Sequence, residues 1–109
     1  DQELRMPDSF RLILSKRFSD DLQKIFDTIS KDSPNNAAAF MKKILDSVDL
    51  LKVFPHRNVA EGEDPRKQHP VRTLPVQNYV VFFKVIDEQK VVEVLRVRHG
   101  ARRPLKRFD

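Results

Sequence analysis

Two apolar runs near the C-terminal end constrain the fold more than any other feature. "YVVFFKVI" (79–86) and "VVEVLRVR" (91–98) are rich in β-branched and aromatic residues, and only "DEQK" (87–90) separates them. Runs of this composition and length read as strands. Four intervening residues are too few for the long crossover that parallel neighbours need, so the two strands form an antiparallel hairpin. A hairpin is marginal alone. The rest of the chain must therefore extend the sheet and cover one of its faces.

The remaining segments supply both. "FRLILSK" (10–16) has a continuous apolar centre at Leu12, Ile13 and Leu14 and reads as a first strand. "FSDDLQKIFDTISK" then changes period: Phe18, Leu22, Ile25, Phe26 and Ile29 recur at helical spacing, with Ser19 placed as N-cap and Asp20 and Asp21 at the positive end of the helix dipole. Ser33 and Pro34 open a second helix, whose stripe is Phe40, Met41, Ile44, Val48 and Leu51, and Pro55 ends it. Two amphipathic helices joined within a few residues pack as an antiparallel hairpin. "VRTLPV" (71–76) is a further strand, short, bulged or at an edge because Pro75 cannot donate to a ladder. Residues 1–9 read as a loose lead-in, 55–70 as a long polar loop and 99–109 as a basic C-terminal segment. At 109 residues the chain is one domain. The order β-α-α-β-β-β predicts an α+β fold, a helical hairpin packed on one face of a twisted, mainly antiparallel sheet.

Alternation along the strands separates two faces. It puts Leu95 and Val97 on one side of the last strand and Val92, Val94, Arg96 and Arg98 on the other; in the strand before, Val81, Phe83 and Val85 alternate with Val80, Phe82, Lys84 and Ile86. The set containing Lys84, Arg96 and Arg98 is too apolar for full solvation and too charged for a core, which suits a partner with apolar anchors and acidic side chains. The alternative is that the arginine stems cover apolar neighbours while their heads stay in water. Charge points the same way. The formal net charge is +5, and residues 1–55 hold nine basic and nine acidic residues against twelve and seven in 56–109. A basic half suggests a polyanion or an acidic protein as partner.

Several chemistries are excluded or unsupported. The chain has no cysteine, hence no disulfide and no thiolate metal site. His56, His69 and His99 show no paired-ligand spacing, so no metal is expected, and with glycine only at 62 and 100 there is no phosphate-cradling loop. No run approaches the ~18 apolar residues of a membrane span.

Three features in this order and spacing carry a resemblance: "FSDDLQKIFDTISKDSPNNAAAFMKKILDSVDLLKVFP"; "VRTLPVQNYVVFFKV", containing Arg-x-Leu-Pro-Val-x-x-Tyr before an apolar strand; and "VVEVLRVRHGAR", in which His-Gly-Ala-Arg closes the last strand. Over about residues 10–103 the chain resembles the RelE/ParE superfamily of toxins from bacterial type II toxin–antitoxin modules, closer to ParE-like members. The resemblance implies a helical hairpin on a curved antiparallel sheet, in agreement with the order derived above. It also implies a cytoplasmic toxin, of the plasmid-stabilising or addiction type, held inactive by a cognate antitoxin.

The superfamily divides by target. ParE-like members bind and poison DNA gyrase, while RelE-like members cleave messenger RNA in the ribosome with basic residues and often a His or Tyr. Under the second reading the candidate catalytic residues are Arg72, at a position where RNA-cleaving members often carry a phosphate-binding Arg, with Arg98, His99 and Arg102, and Lys67 as a further cation. RNA cleavage needs the 2′-OH deprotonated, the phosphorane charge stabilised and the leaving oxygen protonated. An imidazole can take the acid–base part near neutral pH. Alternatively, His99 is a strand-end histidine beside a sharp turn at Gly100, and Arg72 pairs with Glu93 or an acidic loop residue. Under the first reading, Lys84, Arg96, Arg98, Arg102, Arg103, Leu105, Lys106, Arg107 and Phe108 form a partner-binding surface for an acidic antitoxin segment. No cofactor is expected, and the oligomeric state is not written in the sequence. A non-toxic interaction module with the same fold is the third reading.

Overall fold

The computed structural model describes residues 9–56 and 69–100. Strand β1 (Arg11–Leu14) leads into helix α1 (Lys16–Ser30), and helix α2 (Pro34–Asp49) follows, extended by a 3₁₀ turn at Leu50–Lys52. Strands β2 (Arg72–Val76), β3 (Tyr79–Ile86) and β4 (Val91–His99) complete the chain, with a 3₁₀ turn at Asp87–Gln89 between the last two. They form one sheet in the order β1-β4-β3-β2, with β1 parallel to β4 and the other neighbours antiparallel. This is the α+β architecture expected. Pro75 lies on edge strand β2, where a missing N–H is tolerated. No helix among the described residues is long and apolar enough to cross a membrane.

The helices cover one face of the sheet. Phe18 and Ile25 of α1 and Ile44 and Val48 of α2 pack with Val81, Phe83 and Val85 of β3 and Val92, Val94 and Val97 of β4. Ser33 caps α2 as expected, its Oγ accepting the Asn36 N–H at 3.1 Å, with Pro34 at the first helical position. Helix α1 begins a turn earlier than expected. Ser15, not Ser19, is its N-cap, with Oγ accepting the Phe18 N–H at 3.0 Å. Asp20 and Asp21 therefore lie past the first turn.

The facing of β4 also differs from simple alternation. Phe82 pairs with Arg96 but Phe83 pairs with Val94, so Leu95 is an extra residue, a β-bulge. A bulge shifts the alternation by one position. Val92, Val94 and Val97 all face the helices in consequence, which corrects the placement of Val92 and Val94 beside the arginines. Arg96 and Arg98 stay on the opposite face, across from Phe82 and Val80. Gly100 has no left-handed φ to explain it. A Cβ there would approach the Asn78 carbonyl oxygen to 3.1 Å, and the Gly100 N–H donates to that oxygen at 2.7 Å. A side chain there would push that carbonyl back by a few tenths of an ångström, so glycine suits the close approach.

Candidate functional site

The short β1 strand decides how the first part of the site is built. β1 pairs β4 only from Val91 to Val94, so the edge of β4 beyond that point would be unpaired. The start of α1 closes it. The Ser15 N–H donates to the Val94 carbonyl at 3.0 Å and the Ser15 hydroxyl to the Leu95 carbonyl at 2.8 Å. The Asp21 carboxylate accepts the buried Val97 N–H at 3.1 Å. Arg96 reaches the same carboxylate with two bonds, Nε at 2.8 Å and Nη2 at 3.1 Å. Asp21, 9% exposed, is the buried charged residue among those described. The bond from Asp21 holds the Arg96 pKa above its ordinary value, opposed by burial and aided by the carboxylate charge. Arg96 was expected to meet a partner's acid, but its charge is already engaged inside the chain.

On the face away from the helices, Lys84 stands opposite Glu93 and Arg98 opposite Val80, amid Phe82, Ile86 and Val91. Among the described residues, no hydrogen bond or ion pair engages the Lys84 or Arg98 side chain. These two cations are the part of the expected binding surface that the described sheet presents on one face, four residues apart along the β3–β4 ladder. Arg102, Arg103, Leu105, Lys106, Arg107 and Phe108 lie outside the described residues, as does Lys67.

The second part lies at the helix side of the sheet end. His99 pairs with Tyr79 across β3–β4, and their rings meet edge to face at 5.1 Å. Tyr79 in turn contacts Phe40 of α2 at 5.3 Å. Ile29, Asn36, Ala39, Lys43, Gln77 and Asn78 complete a cleft of about 450 Å³ around these three rings. Helical spacing puts Asn36, Phe40 and Lys43 on one side of α2. The β2–β3 turn supplies Gln77, in the left-handed region at φ 55°, and Asn78.

The candidate catalytic residues that are described, Arg72, Arg98 and His99, do not converge. Arg72 pairs with Phe83, which pairs with Val94, whereas His99 pairs with Tyr79, which pairs with Val76. Four residues along the strand and two strands across put their Cα atoms roughly 16 Å apart. Arg98 and His99 are neighbours on opposite faces, and Arg72 faces the helices while Glu93 does not, so that pair cannot form. The other histidines lie elsewhere: His56 bonds Asp87 at 2.8 Å and His69 bonds Glu88 at 3.0 Å, both on the β3–β4 turn. Among the described residues no group of three His, Asp or Glu side chains is placed to hold a metal.

Comparison with solved structures identifies this arrangement. The chromosomal ParDE system of P. aeruginosa matches over 84% of this chain and 97% of its own, with 20% identity and a TM-score of 0.68. The archaeal RelE–RelB complex of Pyrococcus horikoshii matches over 87% and 99%, with 17% identity and a TM-score of 0.61. A RelBE toxin–antitoxin complex of Mycobacterium tuberculosis matches over 84% and 98%, with 21% identity and a TM-score of 0.56. No curated protein matches the sequence significantly. The fold is thus that of the RelE/ParE toxins. Within that class, residues 12–104 match the family described as the ParE toxin of the type II toxin–antitoxin system, and the chain belongs to it.

Sequence reasoning missed Asp21, Phe40, Lys43 and the cleft. A signal for Asp21 was present: three residues after Phe18 and four before Ile25, it sits on the apolar stripe of its helix. The cleft had none, because its lining comes from both helices, a turn and two strands.

Proposed function

We propose that this chain is the toxin of a type II module, neutralised in the cytoplasm by an acidic segment of its antitoxin, and that it stops growth by binding DNA gyrase. Membership of the ParE toxin family supports the reading, and the similar P. aeruginosa protein is part of a ParDE toxin–antitoxin system. The observation that carries the choice of target is the roughly 16 Å between the Arg72 and His99 backbone positions. Groups that together deprotonate a 2′-OH and stabilise a phosphorane must stand within hydrogen-bond reach of one phosphate. The presented cations Lys84 and Arg98 suit a protein contact instead.

One observation favours the second reading, a ribosome-dependent messenger RNA endonuclease. The cleft is lined by His99, Tyr79 and Lys43, a proton-transfer group and a cation in one cavity. Arg72, Arg98 and Arg102 would then be accessory cations.

Induction of the chain alone in a bacterial host, with replication and translation followed separately in the first minutes, tests both. Replication stopping first, with DNA breaks, and full toxicity of His99→Ala and Arg72→Ala are expected. Early translation arrest with cleaved messages, abolished by His99→Ala, would overturn the gyrase reading. Absence of any growth defect would leave the interaction module.

A further inference from the structure

We infer that the Phe40–Tyr79–His99 cleft is the socket for a single large apolar side chain in the acidic segment of the antitoxin, with Lys43 receiving a carboxylate beside it. The inference rests on the antitoxin reading above and assigns that segment a place and a sequence requirement.

The cleft has the anatomy of an anchor pocket. Its apolar lining is Ile29, Ala39, Phe40 and Tyr79, and its polar lining is Asn36, Lys43, Gln77, Asn78 and His99. Pockets that combine apolar and aromatic side chains with a few polar groups are where interfaces concentrate their binding energy. At about 450 Å³ it lies within the ordinary range of binding cavities. It is also preformed. Phe40 and Tyr79 hold each other at 5.3 Å, Tyr79 and His99 at 5.1 Å, and the Gly100–Asn78 bond at 2.7 Å ties the end of β4 to the β2–β3 turn. A preformed pocket loses little freedom when an anchor enters.

Charge selects the occupant. Among the described residues no Asp or Glu lines the cleft, and Lys43 is its lysine. Gly100, bonded to Asn78, follows His99 at its edge. Arg98 faces the other side of the same sheet end. An acidic segment rounding this end would meet Lys43 on one face and Arg98 on the other, while its apolar side chain fills the space between. A single-stranded nucleic acid fits less well. It needs open ring faces and a track of cations along its backbone, whereas Tyr79 meets its neighbours tilted and edge to face and one lysine lines the cleft.

The test uses the whole chain and labelled pentapeptides, Glu-Asp-Trp-Glu-Asp against Glu-Asp-Ala-Glu-Asp, with a five-nucleotide oligouridylate as competitor. Binding is read by fluorescence anisotropy and mapped by amide NMR shifts. The tryptophan peptide should bind at least tenfold more tightly than the alanine peptide and shift residues 36–43 and 77–79. Ala39→Trp, at an exposed helix position, should fill the cleft and remove that preference; Lys43→Glu should weaken both peptides several-fold. Thermal melts of both variants establish that they fold. Equal binding of the two peptides, indifference to Ala39→Trp, or displacement of the peptide by oligouridylate would each overturn the inference. So would sedimentation showing that the chain self-associates and that Ala39→Trp abolishes it, since the occupant would then be a second copy. Growth separates this from the functional reading. Toxicity neutralised by an antitoxin, with no tryptophan preference, sinks the socket alone; a preference without toxicity sinks the toxin reading alone.

Discussion

Replacing Asp21 with Ala should be among the most damaging single changes in this protein, for reasons that can be worked through bond by bond. The carboxylate accepts two bonds from Arg96 and one from the Val97 N–H. The Val97 amide is buried, and losing this acceptor costs about 1–3 kcal/mol of desolvation. Breaking a buried ion pair by removing one partner costs about 3–5 kcal/mol. Here the side chains retain 20% and 11% exposure, so Arg96 regains some water and the lower end applies. The same opening that returns water to Arg96 also wets the Val97 amide, so the two costs overlap and a loss of about 3 kcal/mol follows, out of a total of about 5–15 for an ordinary domain. With a urea slope of about 1–1.5 kcal/mol per molar, the unfolding midpoint falls by roughly 2–3 M at unchanged slope.

Arg96→Met in the Asp21→Ala background should cost less than the sum of the single changes, by about 1 kcal/mol or more, because the two groups share one interaction. The pH dependence has a definite sign. Arg96 is raised in the folded state, first by the Asp21 hydrogen bond, so its contribution is complete below the unfolded arginine range and lost only as pH climbs beyond it. Between about pH 6 and pH 10 the Arg96 contribution should therefore be flat. Additive single changes, or a loss below about 1 kcal/mol for Asp21→Ala, would refute the view that this carboxylate closes the sheet edge.

Two further changes probe local structure. Ser15→Ala removes both the α1 cap and the bond to Leu95, and should cost about 1–2 kcal/mol in denaturant titration, whereas Ser19→Ala should be nearly silent. Equal effects would put the helix start at the later serine. Gln77 holds φ 55° in the β2–β3 turn, so Gln77→Gly should relieve strain and raise stability by up to about 1 kcal/mol in thermal melts; a loss would mean that the side chain contributes more than its backbone costs.

What the sequence by itself determined is what short-range rules control. The β3–β4 hairpin follows from two β-branched runs four residues apart, the start of α2 from Ser33 and Pro34, and a short, bulged or edge strand at β2 from Pro75, of which the sheet order shows the edge. Of the opposite face, the spacing places Lys84, Arg96 and Arg98 correctly but wrongly adds Val92 and Val94. Tertiary structure decided the rest. β1 runs parallel to β4 because the helical hairpin carries the chain across the sheet, a choice no local pattern in residues 10–16 records. The bulge at Leu95 turns Val92 and Val94 toward the helices, and its partners Ser15 and Asp21 are distant in sequence. One extra residue reverses every facing before it, so alternation read from the last strand alone could not be right along its whole length. Asp21 looked like a helix-dipole residue until the missing stretch of β1 gave it an unpaired amide to satisfy. The cleft exists only where α2, the β2–β3 turn and the end of β4 meet, and there His99 lies against Tyr79 rather than beside Arg72.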